Sequence, residues 1–257
     1  MAPSVTLAAW LTVLVVLAGG AVAAAGDPYR QMQELLDNGY YASAAQVEGP
    51  NLIRDYPDDP EAHYLYAYAL YLSGNSAHSR TVLDEALALA GPDSEPRYDW
   101  LDALLLAAET DLQGAERLLE DAFARGGDYR VAMDWGRVAW QRGDFEAALS
   151  AFEAAAATDR GRLAPWTHLH QGRMLVLLQR YQEAIGAFEA ALTVLDEVSS
   201  SGDDRVPARL EAYYRLGMVH EVLEDATAAI AYYERATSID PDFAPARAAL
   251  ERIRGQH

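Results

Sequence analysis

The 257 residues include no cysteine and no lysine. Without cysteine there is no thiolate nucleophile, no disulfide and no cysteine-ligated zinc. Without lysine there is no phosphate-loop lysine, no Schiff base and no lysine general base, and all 20 basic side chains are arginine. The common catalytic patterns are missing too: no G-x-S-x-G, no H-E-x-x-H, no glycine-rich dinucleotide fingerprint and no EF-hand loop. Positive charge is scarce, with 39 acids against 20 bases and a net charge of −19. Long-range repulsion from such a surface disfavours nucleic acid and anionic lipid headgroups as general partners. The expectation is a protein that is not an enzyme and has no cofactor and no metal.

Charge of either sign is missing from residues 1–26, which are almost unbrokenly apolar from Val5 to Ala25. The centre, WLTVLVVLA, is followed by GGAVAAAGD, whose small residues suit leader cleavage after Ala23 or after Ala25. Two other readings stay open. The basic segment of a leader is missing, and about 20 apolar residues suffice to span a bilayer as an uncleaved anchor; a buried core helix is the third. Residues 1–25 are thus expected to be a signal peptide or N-terminal membrane anchor, with 27–257 as the folded part. The folded part is then exported to the periplasm or another extracytoplasmic space, or held at a membrane by one helix. With no cysteine to acylate, a lipoprotein anchor is excluded.

Further along, the chain repeats itself. From Pro207 to Pro241, two amphipathic runs are separated by a short polar break. Leu210, Tyr213, Leu216, Gly217 and His220 recur at spacings of three and four, as do Ala226, Ala229, Ile230, Tyr233 and Ala236. Each set therefore lies on one face of a helix, and Pro241 ends the second helix. Copies align on a small residue: Gly136, Gly172 and Gly217, then Ala148, Ala184 and Ala229 twelve residues on. Phe152, Phe188 and Tyr233 follow, then Ala155, Ala191 and Ala236. Glycine and alanine at these places let two crossing helices approach, so they form the structural seam of a helical hairpin.

This pattern resembles the tetratricopeptide repeat family. The resemblance implies an all-α, right-handed solenoid of stacked αα-hairpins, here about five to six of them plus a C-terminal capping helix. Weaker copies have Ala67, Ser79, Leu83 and Ala86, and Ala103, Ala115, Leu119 and Ala122, at the seam places. The second of these lacks a turn glycine around Thr110-Asp111. The first hairpin, 27–57, is interrupted by Gly49-Pro50, where a bend or a new helix starting at Pro50 is expected. Gly136 to Gly172 is 36 residues and Gly172 to Gly217 is 45, so residues 196–207 read as an inserted polar loop. Phe243, Ala246, Ala249, Leu250 and Ile253 suit the capping helix.

His63, His168 and His220 occupy repeat places normally given to packing, and His168 and His170 are two apart on a helix, which turns them away from each other. Asp203-Asp204 with Asp196 and Glu197 reads as a solvated loop rather than a calcium cage. The resemblance also implies a concave groove lined by the first helix of each hairpin. The positions expected there are Tyr64, Tyr68 and Tyr71; Arg97, Trp100 and Leu104; Arg130, Met133, Arg137 and Trp140; Trp166, Leu169 and Arg173; and Glu211, Tyr214 and Met218. Arginine forks two bonds to a carboxylate and stacks on aromatic rings, while tyrosine and tryptophan are rigid anchors. A protein or peptide partner with acidic groups suits this surface, in a scaffold supporting assembly of an envelope complex. Two alternatives stand beside it. The arginines could pair with neighbours such as Asp134, or the stack could be a spacer or self-association module tethered by its N-terminal helix. Chaperone-binding members clamp a carboxylate with lysine and asparagine, and this chain has neither there.

Overall fold

The computed structural model describes residues 27–92, 94–197 and 205–255, with the side chain of Arg205 excepted. The leader or anchor reading falls on residues outside this set, as do Asp203 and Asp204. Among the described residues the regular structure is helical, and no helix is long and apolar enough to cross a membrane.

Six hairpins follow one another. The first pairs α1 (Arg30–Asp37) with a segment made of α2 (Tyr41–Ser43), a π-helical turn (Ala44–Glu48) and α3 (Gly49–Asp55). Then come α4 (Pro60–Leu72) with α5 (Ser76–Ala90), and α6 (Pro96–Ala108) with α7 (Leu112–Ala124). Next are α8 (Tyr129–Arg142) with α9 (Phe145–Ala157) and, after the short α10 (Asp159–Arg162), α11 (Pro165–Leu177) with α12 (Tyr181–Glu197). The last pair is α13 (Arg205–Val222) with α14 (Ala226–Ile239), and α15 (Ala244–Arg254) closes the stack. Each second helix packs on the first helix of the next hairpin, and α4–α6, α6–α8 and α11–α13 also touch, so the first helices share one side of the stack.

The chain enters and leaves these helices by repeated devices. Proline sits in the first turn of α3, α4, α6, α11 and α15, where its missing N–H has no intrahelical partner to lose. Within each hairpin the turn has a residue with positive φ: Gly39, Gly74, Thr110, Gly143, Gln179 and Glu224. The amide of the following residue bonds back five residues, as in Asn75 to Leu70 O at 2.9 Å and Asp144 to Ala139 O at 3.0 Å. That following residue is Asn75, Asp111, Asp144 or Asp225 in four hairpins, and its side chain caps the second helix. Thr110 is the poorest fit, a β-branched residue at φ 72°. Thr110→Gly should stabilise the protein by about 1 kcal/mol, read as a higher urea midpoint, because glycine adopts this backbone without Cβ crowding.

The seam is built as the alignment implies, with a rule of sizes. A Cβ at Gly136 would lie 2.5 Å from the Phe152 ring and one at Gly217 2.6 Å from the Tyr233 ring; at Gly172 it would run into Phe188. In the earlier hairpins the places equivalent to the glycine hold Ala67 and Ala103, and those equivalent to the aromatic hold Leu83 and Leu119, all fully buried. Glycine accompanies an aromatic ring and alanine accompanies leucine. Ser79, in the place of Ala148, donates its hydroxyl to Ala67 O at 2.7 Å, so its polarity is satisfied inside the seam.

Two expectations are sharpened. Pro50 does stand in the first turn of a helix, α3, but the backbone before it is helical too, so the segment is not interrupted there. The wide turn before it lets the Gly49 amide reach back to Ala44 O, and helical backbone continues through Gly49 into the proline. This relieves the ring of the clash a proline makes with the carbonyl four residues earlier. Residues 196–207 are not a loop throughout: α12 runs to Glu197 and α13 begins at Arg205, with Pro207 in its first turn. Arg209 links the two extensions, donating to Asp196 at 2.7 Å and to Leu195 O at 3.2 Å.

Several arginines tie one hairpin to the next. Arg97 on α6 pairs with Glu61 on α4 at 2.6 Å, and Arg142 on α8 with Glu116 on α7 at 2.5 Å. Arg80 reaches Asp102 and Arg252 on α15 pairs with Glu221 on α13, while Arg125 reaches Asp99 within the third hairpin. Pairs this close to solvent contribute up to about 1 kcal/mol each, so they set register between hairpins more than they hold the stack together.

Candidate binding groove

The side shared by α4, α6, α8, α11 and α13 divides into two sectors. In the first, aromatic rings run across two hairpins: Tyr98 lies 4.9 Å from Tyr64, Tyr64 stacks on Tyr68 at 6.3 Å, and Tyr68 lies 5.5 Å from Trp100. Arg97 sits over the Tyr64 ring at 4.9 Å and Arg130 over the Trp100 ring at 5.2 Å. Trp100 Nε1 donates to Asp134 Oδ2 at 2.7 Å, and the other oxygen of Asp134 accepts from Arg137. Tyr64 and Trp100, 5% and 6% exposed, are therefore largely spent on packing between hairpins, while Tyr68 and Tyr71 remain half-buried. Burial raises the Tyr64 phenol pKa, and the Arg97 guanidinium works against that rise.

Three of the four expected arginines already have acidic partners. Arg97 holds Glu61 and Glu95, Arg130 holds Asp128 at 3.2 Å, and Arg137 holds Asp134. Asp134 is buried, so Arg137→Glu would set a second carboxylate beside it and would probe folding rather than binding.

The second sector, on α8, α11 and α13, is different. Arg173 lies 4.7 Å over the Trp140 ring and makes no ion pair among the described residues. Its pKa is lowered by burial and then by Arg215, with Glu211 acting the other way. Glu211 is taken by Arg215 at 2.7 Å. Trp140, Trp166, Met133, Tyr214 and Met218 are half-buried on these three helices, Tyr214 edge-on to Phe243 at 5.2 Å, whereas Leu169, 1% exposed, belongs to the core rather than the groove.

His170 packs flat on Phe152 at 4.9 Å and has its pKa lowered to about 4, first by burial and then by Arg173 and Arg137. The other histidines pack or pair locally: His63 against Asp59 O, His168 with Gln171, and His220 on the Tyr232 ring.

Arg215 and His170 were not among the residues expected in the groove, yet the sequence held a signal for them. Asp134, His170 and Arg215 each stand two residues before a seam glycine, where the alanine-seam hairpins have Leu65 and Leu101. A polar residue there three times over marks a stretch of the stack not packed as plain core.

Two sequence profiles described as tetratricopeptide repeat match the chain, one over residues 163–242 and the other over 29–95 and 101–162. The chain belongs to the tetratricopeptide repeat family. No curated protein matches this TPR chain by sequence. Among solved structures it is similar to YrrB, titled a TPR protein with an unusual peptide-binding site, at 18% identity and a TM-score of 0.64, covering 80% of this chain and 99% of that one. It is similar to PilW, titled a widely conserved type IV pilus biogenesis factor, at 15% identity and a TM-score of 0.65, covering 87% and 96%. It is also similar to PilF of Pseudomonas aeruginosa at 17% and 0.64, covering 90% and 96%. At these identities the likeness is one of fold. A TPR fold is that of an interaction scaffold for protein or peptide partners.

Proposed function

We propose that this TPR solenoid is a non-enzymatic scaffold that holds a protein or peptide partner in the groove of its first helices, outside the cytoplasm, during assembly of an envelope complex. The observation that carries the reading is the second sector. Trp140, Trp166, Tyr214, Met133 and Met218 stay half-buried on the first helices of their hairpins, and the Trp140 ring lies under Arg173, which has no ion pair among the described residues. Large amphipathic rings and an unpaired guanidinium are what a docked segment covers. The apolar N-terminal run supports an extracytoplasmic setting, and a pilus biogenesis factor of the same fold supports a role in envelope assembly.

The test is photo-crosslinking in the cells that make the protein. A benzophenone side chain replaces Gln141, an exposed residue of α8 next to Trp140, or Glu153, an exposed residue of α9. A discrete adduct from position 141, absent from position 153 and recovered in the envelope fraction, is the expected result. Equal adducts at both positions would sink the groove, and adducts confined to the cytosolic fraction would sink the envelope role.

A further inference from the structure

We propose that the second sector contains a seat for a carboxylate of the partner, formed by Arg173 lying on Trp140 and flanked by Arg137 and Arg215. The inference rests on the groove reading above and names the chemistry of the segment held there.

The seat follows from where charge is left over. The chain has about twice as many acids as bases, so an arginine without an acid is unusual in it. Among the described residues, Arg117, Arg160, Arg173 and Arg235 have no ion pair; the other three are exposed and Arg173 is half-buried. Its Cζ lies 4.7 Å over the Trp140 ring, and a guanidinium held against an aromatic face still has N–H donors to fork onto a carboxylate. The one acid that acts on it, Glu211, is already bonded to Arg215, and Asp134 is shared between Trp100 and Arg137. Every other arginine whose pKa moves is pushed up by acids, whereas that of Arg173 is pushed down. An incoming carboxylate would reverse that. Partial burial strengthens the attraction relative to open water, and the Trp140 face under the guanidinium offers apolar cover to the aliphatic part of a glutamate or aspartate.

The chain's own charge makes the test discriminating. A surface of −19 repels an acidic peptide at long range, so preference for glutamate over glutamine has to come from a local cation. The probes are fluorescein-labelled hexaglutamate and hexaglutamine, followed by anisotropy with the full chain at low ionic strength. Hexaglutamate should bind about ten-fold more tightly than hexaglutamine, as expected for a charge-assisted fork. Arg173→Gln should remove most of that preference, and Arg117→Gln, at an exposed site on α7, should leave it intact. Circular dichroism of each variant checks that the helices are retained. If the two peptides bind wild type equally, or if Arg173→Gln and Arg117→Gln behave alike, the seat is wrong. Crosslinking separates that failure from failure of the groove. Both peptides labelling position 141 to the same extent would overturn the seat while the groove stands. Labelling confined to position 153 would overturn both.

Discussion

A Gly172→Ala variant unfolds at a lower denaturant concentration than wild type, and Phe188→Leu in the same chain restores most of the loss. At Gly172 the added Cβ runs into the Phe188 ring, which is wholly buried. Alanine is the better helix former by about 0.8–1 kcal/mol, so the overpacking cost has to exceed that before a loss is seen. Forcing a methyl group into a filled core costs about 1–3 kcal/mol, and Gly172→Leu would stand at the upper end. Exchanging Phe188 for leucine recreates the pairing already used by Ala67 with Leu83 and by Ala103 with Leu119. Phe188→Leu alone leaves a void and is destabilising as well. Two destabilising changes that largely cancel are a strong coupling, of the ~0.5–3 kcal/mol size seen for touching residues. If instead the two losses add, the size rule at the seam is wrong. Urea unfolding followed by helix content measures all four proteins.

The second large effect concerns Asp134. Its carboxylate is 5% exposed and joins two hairpins, accepting the Trp100 indole N–H with one oxygen and the Arg137 guanidinium with the other. Asp134→Ala strands the indole N–H inside the stack and frees Arg137, an expected loss of about 2–3 kcal/mol for a buried donor left without its charged acceptor. Asp134→Asn keeps an acceptor for the indole and gives up only the charge, so it should lose about 1 kcal/mol. The Trp100 environment supplies a second readout, because near-ultraviolet circular dichroism should change in the alanine variant and stay close to wild type in the asparagine one. Equal losses in the two variants would mean that the charge, and not the indole bond, fixes α6 against α8.

Periodicity and small residues made the hairpins readable in the sequence, because helix crossings have a short list of solutions and glycine opposite an aromatic is one of them. The seam residues Gly136, Gly172 and Gly217 meet their rings as the alignment implies. The turn at Thr110 was visible as a missing glycine, and it keeps its positive φ all the same because the tertiary fold imposes it. Pro50 was harder. A proline in an apolar run signals a break, and a widened turn that spares the helix leaves no local mark. The groove was readable as a set of positions and not as a set of free groups. Arg97 is neutralised by Glu61, which lies on another helix and meets it only when the hairpins stack, whereas Glu211, also on another helix from Arg173, is held by Arg215 four residues along its own. The same holds for Tyr64 and Trp100, whose burial is made by neighbouring hairpins rather than by their own helix.

The size rule at the seam also limits what can be exchanged within the chain. Repeats of one build invite recombination between copies, and nearest-neighbour stacking would tolerate it. Here the copies fall into two classes, alanine with leucine in the second and third hairpins, glycine with an aromatic ring in the fourth to sixth. A crossover in the turn between the two helices of a hairpin is silent within a class. Across classes it joins Ala103 to Phe152 and jams the crossing, or joins Gly136 to Leu119 and leaves it hollow. The last five of the six hairpins are therefore two sets of interchangeable parts, and a shuffled or shortened chain stays sound only where whole hairpins move or both halves come from the same set.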